Sequence, residues 1–100
     1  MEFQWDSGKA VLNREKHRVS FEEAVTVFDD YFSATFADPD HSIDEARFVT
    51  CGNSIDGRLL VVCHTDQGAT IRIISAWKAN QAERKKYETE IKKRFGKRKA

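Results

Sequence analysis

A chain of 100 residues, 40% apolar and 33% charged with a single proline, is long enough to bury one core and too short for two, and its composition excludes a disordered chain. No window approaches the ~18 apolar residues of a membrane span, and MEFQWDSGKA lacks the basic-then-apolar layout of a secretion signal, so the cytoplasm is the expected compartment. The net charge of +1 conceals an asymmetry: residues 1–82 carry 8 Lys/Arg against 13 Asp/Glu, and residues 83–100 carry 9 against 3, a basic pole that attracts polyanions or an acidic partner, or that simply solvates a helix end.

Phe3 and Trp5 alternate with Glu2 and Gln4, the period of a short strand, and Asp6 then offers an N-cap for a helix from Ser7 to about Lys16. Ala10, Val11, Leu12, His17 and Val19 are the residues of this region able to face a core. Ser20 followed by Glu23 is a capping box, and Phe21, Ala24, Val25, Val27 and Phe28 continue at helical spacing to Asp29 and Asp30. Tyr31 to Phe36 reads as a short strand closed by the turn cluster Asp38, Pro39, Asp40 and His41.

After a polar loop, Ala46 to Gly52 alternates, with Arg47, Val49 and Cys51 on one face and Phe48 and Thr50 on the other. The Asp56-Gly57 pair favours a tight turn into a strand from Leu59 to Thr65, and the DQGA stretch turns the chain into Thr70 to Ser75. Three strands joined by short turns form an antiparallel meander, because short connections forbid parallel crossovers. Asn80 with Glu83 caps a last helix from Gln81 to about Phe95, where Gly96 stops it. Its apolar stripe of Ala82, Tyr87, Ile91 and Phe95 is narrow and lies on a sheet or on a partner. The expected architecture is therefore α+β, one domain over 1–95 with a basic, frayed tail over 96–100.

No phosphate-binding glycine loop, H-E-x-x-H or nucleophile elbow is present. His17, His41 and His64 are too dispersed to argue for a metal. Cys51 and Cys63 lack zinc-site spacing and read as small buried hydrophobes. His64 interrupts the apolar run LLVVCHT, and Arg72 interrupts TIRIIS. An imidazole there serves as a satisfied structural group or as a proton-transfer group. A guanidinium among isoleucines serves in a salt bridge or as a bidentate phosphate clamp on an exposed face.

Turn length decides whether the two meet. With a four-residue loop His64 opposes Ile71 while Arg72 lies opposite Cys63 on the other face; a loop one residue shorter or longer puts both on one face. Arg47, Arg58, Lys78 and Arg84 join Arg72 as cations suited to a ribonucleic acid backbone. Trp77 suits stacking on a splayed base, or equally the anchoring of the last helix.

Taken together, EFQWDSGKAVLNREKHRVSFEEAVTVFDD, FADPDHS, ARFVTCG, GRLLVVCHT and IRIISAWKANQAERKKYE resemble the BrnT family of type II toxin–antitoxin toxins, over nearly the whole chain to about Glu90. The resemblance implies a RelE-like fold, with two N-terminal helices and a C-terminal helix packed on the meander, and a ribonuclease that arrests translation. It also implies neutralisation by a BrnA-like ribbon-helix-helix antitoxin, in a 2:2 assembly that reaches promoter DNA only through the antitoxin. Trp5, Lys9, Asn13, Lys16, His17, Arg58, His64, Arg72, Ser75, Lys78, Glu83, Arg84 and Tyr87 stand where the family motif has the same residue types. Trp77 departs from it, replacing the arginine of R-I-I-S-A-R.

The resulting expectation is a metal-independent endoribonuclease without a cofactor. His64 is its general acid or base and Arg72 its phosphate clamp, while Arg58, Lys78, Trp77, Arg47 and Arg84 bind RNA. The alternatives are a catalytically weak or inactive module that binds the antitoxin and tunes promoter occupancy, and direct nucleic-acid binding through the basic tail.

Overall fold

The computed structural model describes residues 1–38 and 46–96. Five strands form one sheet in the order β1-β5-β4-β3-β2: β1 Glu2–Gln4, β2 Ala34–Ala37, β3 Arg47–Asn53, β4 Leu59–Gln67 and β5 Thr70–Lys78. The meander of β3, β4 and β5 is as expected, and β2 extends it antiparallel on β3. The parallel pairing of β1 with β5 was not anticipated, because nothing local in three residues specifies a long-range partner. Tyr31 and Phe32 lie in a turn before β2 rather than inside it. The turn at Pro39, Asp40 and His41 and the tail over 97–100 fall outside the described residues.

Helices cover both faces. On the first, α1 (Ser7–His17), α2 (Phe21–Val25) and a 3-10 turn at Thr26–Asp29 bury Val19, Phe21, Ala24 and Val27 against Leu60, Val62, Ile71, Ile73 and Ala76. On the second, α3 (Gln81–Phe95) sets Tyr87 and Ile91 against Ala34, Cys51, Leu59 and Val61. The helix starts follow the caps read from the sequence: Asp6 accepts from the Lys9 N–H, Ser20 from that of Glu23, and Asn80 and Glu83 form a reciprocal capping box.

The face of α1 differs from expectation. Val11 and Leu12 are exposed and Asn13 is buried. The reason lies at the sheet edge. β1 pairs β5 only at Thr70, Ile71 and Arg72, leaving the backbone further along β5 without a neighbouring strand. The Asn13 carboxamide takes that place, accepting from the Ala76 N–H at 3.1 Å and donating to the Ala76 carbonyl at 2.9 Å and to the Val19 carbonyl at 3.0 Å. A buried backbone group left unpaired costs on the order of 1–3 kcal/mol, so this polar side chain is worth burying.

The β4–β5 hairpin closes tightly, with Gln67 paired to Thr70 and Gly68 at φ 65°. Past the turn, Thr65 opposes Arg72 and His64 opposes Ile73, yet Cys63 opposes Ser75. Ile74 is thus an extra residue, a β-bulge that reverses the alternation of β5 beyond it. Arg72 before the bulge and Ser75 and Trp77 after it consequently share the face of Cys63 and Val61.

Candidate functional site

The second sheet face, with the start of α3, encloses a groove of about 450 Å³ whose walls include Phe36, Asp38, Arg47, Val49, Cys63, Ser75, Trp77, Glu83, Lys86 and Tyr87. Its mouth is charged and its floor apolar. One rung of the sheet beside it runs Arg47, Thr65, Arg72 across β3, β4 and β5. Two guanidinium-bearing side chains therefore flank a threonine whose buried hydroxyl has no hydrogen-bond partner among the described residues.

The α3 side of the groove is fixed by the capping box. Glu83 accepts from the Asn80 N–H at 2.9 Å and also from Trp77 Nε1–H, with both carboxylate oxygens at 3.2 Å. One carboxylate thereby caps the start of the helix and pins the indole. Lys86 lies 4.6 Å from the centroid of the Phe36 ring, a cation–π contact that ties α3 to β2. Burial pushes the Cys51 thiol up to about 11 and raises the Cys63 thiol and the Tyr87 phenol as well. All three are protonated at neutral pH and act as walls and hydrogen-bonding groups rather than nucleophiles.

Several expected site residues lie elsewhere. His64 is 1% exposed and on the opposite face from Arg72. Its Nδ1 meets Asp66 Oδ1 at 2.7 Å, and its Nε2 meets Thr50 Oγ1 at 2.8 Å. The rings of Phe28 and Phe48 enclose it. Desolvation lowers the imidazole below its usual range, against the opposing pull of Asp66. The ring is therefore neutral at pH 7, with its proton on Nδ1 facing the acceptor Asp66 and Nε2 accepting from Thr50.

His64, expected as a general acid or base, is thus buried on the face away from the groove. Arg58, expected to bind RNA, is engaged within the fold. Its guanidinium pairs with Glu23, donates to the Arg18 carbonyl at 3.1 Å and adjoins Ser54, which bonds the same carboxylate at 2.7 Å. It joins the β3–β4 turn to α2.

Arg47 and Trp77 do line the groove, Arg72 stands on its face, and Arg84 is exposed beside Glu83 in the first turn of α3. Lys78 lines a separate hollow with Lys16, His17 and Trp77. Sequence reasoning did not give Glu83 its contact with Trp77 or place Lys86 in the groove. The capping box was visible, but that its carboxylate also reaches an indole depends on the bulge.

The fold and groove define a small α+β domain with a charged, aromatic-walled groove. Residues 5–83 match the family described as the ribonuclease toxin, BrnT, of type II toxin-antitoxin systems. The chain belongs to that family. It is also similar to the crystal structure of the Brucella abortus ribonuclease toxin, BrnT, at 21% identity and a TM-score of 0.64, over 81% of this chain and 99% of that one. No curated protein matches the chain. Among the described residues no helix is long and apolar enough to cross a membrane.

Proposed function

We propose that the chain is an endoribonuclease whose substrate strand lies along the second sheet face, with Arg72 as the phosphate clamp and Arg47 supporting it. The observation that carries this reading is the Arg47–Thr65–Arg72 rung beside the groove. Guanidinium groups are suited to bidentate contact with phosphate oxygens, and family membership supplies the reaction class.

The simplest chemistry uses the RNA itself as nucleophile. The 2′-oxygen attacks the adjacent phosphorus, its proton passing to a base. The bond from phosphorus to the 5′-oxygen breaks, and that oxygen takes up a proton. The products are a 2′,3′-cyclic phosphate and a 5′-hydroxyl, with no co-reactant consumed. The protein contributes orientation and stabilisation of the charge on the non-bridging oxygens.

As a type II toxin it is held inactive by a protein antitoxin, for which we propose a BrnA-like ribbon-helix-helix protein in a 2:2 complex that reaches promoter DNA through the antitoxin. Incubation of the purified chain with single-stranded RNA in the presence of a chelator tests the enzymatic reading. Cyclic-phosphate ends that disappear in Arg72→Ala are expected. Intact RNA from a folded parent that binds its antitoxin tightly makes the chain an interaction module instead.

A further inference from the structure

Trp77 walls two hollows. One is the groove described above; the other, about 510 Å³ and open to solvent, is bounded by Lys16, His17, Trp77 and Lys78. Its residues come from the end of α1 and the end of β5, which are far apart in sequence and are brought together by Asn13. The Asn13 carboxamide clamps α1 to the unpaired edge of β5 at Ala76. Lys16 and His17 follow Asn13 by one helical turn, so they project from the same face of α1. Trp77 and Lys78 are the next two residues of β5 after Ala76. A single buried side chain therefore aligns two cation-bearing segments around one indole. The His17 and Trp77 ring centroids are 6.0 Å apart with their planes inclined at 43°.

We infer that this hollow is a nucleotide subsite for single-stranded RNA, in which Lys16 and Lys78 contact a phosphate and the Trp77 and His17 rings receive the neighbouring base. The inference rests on the reading of the chain as an RNA-cleaving toxin and extends it by naming where the strand goes beyond the Arg72 rung. Lys16 and Lys78 are exposed, and no described hydrogen bond or ion pair occupies either ammonium, so an arriving anion displaces only water. The indole Nε1–H is already committed to Glu83, which fixes the ring without a ligand and lowers the entropic cost of stacking.

Aromatic faces accept any base, and paired ammonium groups follow the backbone, so the site binds strand without reading sequence. Because of the bulge, Arg72 and Trp77 lie opposite Thr65 and Val61, four residues apart on β4, roughly 13 Å at ~3.3 Å per residue, further than one nucleotide spans. The hollow therefore holds a flanking nucleotide and not the scissile phosphate. An acidic peptide is the competing occupant by charge, but it makes no use of the held indole beside the imidazole.

The test is binding of a short 2′-O-methyl oligoribonucleotide, which lacks the nucleophilic hydroxyl and is not cleaved by the proposed chemistry. It is measured across a salt series for the parent and for Lys16→Ala/Lys78→Ala, both surface positions whose loss leaves the core intact. The double variant is expected to bind about tenfold more weakly, with the slope of log K against log salt reduced by ~0.7 per contact removed. The Trp77 indole N–H and the His17 ring resonances of the parent are expected to shift on binding.

Parental affinity and salt slope in the double variant overturn the inference, as do unmoved Trp77 and His17 resonances. A poly-glutamate of matched charge that binds as tightly also overturns it, making the hollow an acidic-protein surface. The two readings fail separately. Arg72-dependent cleavage with oligonucleotide binding indifferent to the lysines removes the subsite alone. Lysine-dependent binding by a chain that leaves RNA intact removes the nuclease reading alone.

Discussion

His64 and Arg72 sit on neighbouring strands of one tight hairpin and face opposite sides of the sheet, because His64 pairs with Ile73 and Arg72 with Thr65. They therefore do not meet. Arg72 stands on the sheet face that carries the groove. His64 belongs to a polar chain through the first face, in which Asp66 holds Nδ1 and Nε2 meets Thr50, whose hydroxyl contacts that of Thr35 at 2.8 Å.

That assignment makes His64→Ala a stability variant. Removing the ring leaves Thr50, 0% exposed, short of a partner and opens a void between Phe28 and Phe48. The expected loss is about 2–4 kcal/mol, read as a lower midpoint in denaturant, with RNA cleavage per folded molecule retained. The parent should also be acid-sensitive in a defined direction. The folded state holds the imidazole below its ordinary value of 6.5, so it favours the neutral form. That contribution is fully present above 6.5 and is lost as pH falls below it, through the lowered folded-state value. Urea midpoints measured from pH 7.5 downward should fall in the parent and fall less in His64→Gln.

Arg72→Ala should do the reverse. Half-buried and held by no described hydrogen bond, its side chain can be removed at a cost of about 0.5 kcal/mol, while cleavage of single-stranded RNA drops about 100-fold or more through loss of charge stabilisation. Arg72→Lys should recover only part of the rate, since a point charge lacks the planar fork. Equal loss of rate in the alanine and lysine variants would mean that positive charge alone contributes nothing there, and parental rates in both would remove Arg72 from the reaction.

The sequence made local features legible and left register hidden. The caps at Asp6, Ser20 and Asn80 and the alternation of Arg47, Val49 and Cys51 were readable because each depends on residues a few positions apart. The bulge at Ile74 was not, since TIRIIS alternates no differently with or without an extra residue. That bulge decides that Arg72 shares a face with Ser75 and Trp77. Asn13 was equally opaque: a carboxamide at mid-helix gives no sign that it substitutes for a missing strand. Trp77 was read as a base-stacking residue or as an anchor of the last helix, and the structure gives it the anchoring contact, through Glu83.

Arg58 and Glu23 supply a second pH-dependent element. The Arg58 guanidinium, ahead of Ser54, holds the Glu23 carboxyl below its ordinary value of 4.5 despite the opposing effect of burial. Its stabilisation is present above 4.5 and disappears as pH falls through the lowered value. Because the Arg58 side chain is partly exposed and so screened, Arg58→Ala should cost about 1–2 kcal/mol at pH 7. The cost should shrink towards zero in strong acid, and RNA cleavage by the folded variant should equal the parent's.

Gly52 is a packing constraint in β3. A Cβ there would stand 2.9 Å from Ser33 Cβ, 3.0 Å from Val27 Cγ1 and 3.1 Å from Asp30 Oδ2. Asp30 cannot retreat freely, since its carboxylate accepts from the N–H groups of Asn53 at 2.7 Å and Phe32 at 3.0 Å. Gly52→Ala should destabilise by about 1–3 kcal/mol, measured by thermal unfolding. An unchanged melting temperature would show that the turn before β2 yields without cost.

Asn13 offers the sharpest separation of architecture from chemistry. Its carboxamide satisfies the Ala76 N–H and both the Ala76 and Val19 carbonyls, so Asn13→Leu, similar in size, leaves two backbone groups at the β5 edge and one between α1 and α2 to find water or go unpaired. The expected cost is about 2–3 kcal/mol. Amide hydrogen exchange at Ala76 should accelerate by the corresponding factor, about 30- to 150-fold at 1.4 kcal/mol per tenfold. The change also frees α1 to pivot, and Lys16 and His17 ride on it. A variant kept folded by low temperature should therefore lose affinity for the 2′-O-methyl oligonucleotide while Arg72 and its rung stay in place. Slow exchange at Ala76 in Asn13→Leu would mean that α1 is held to the sheet by its apolar contacts alone, and that the carboxamide is not what brings Lys16 and His17 to Trp77.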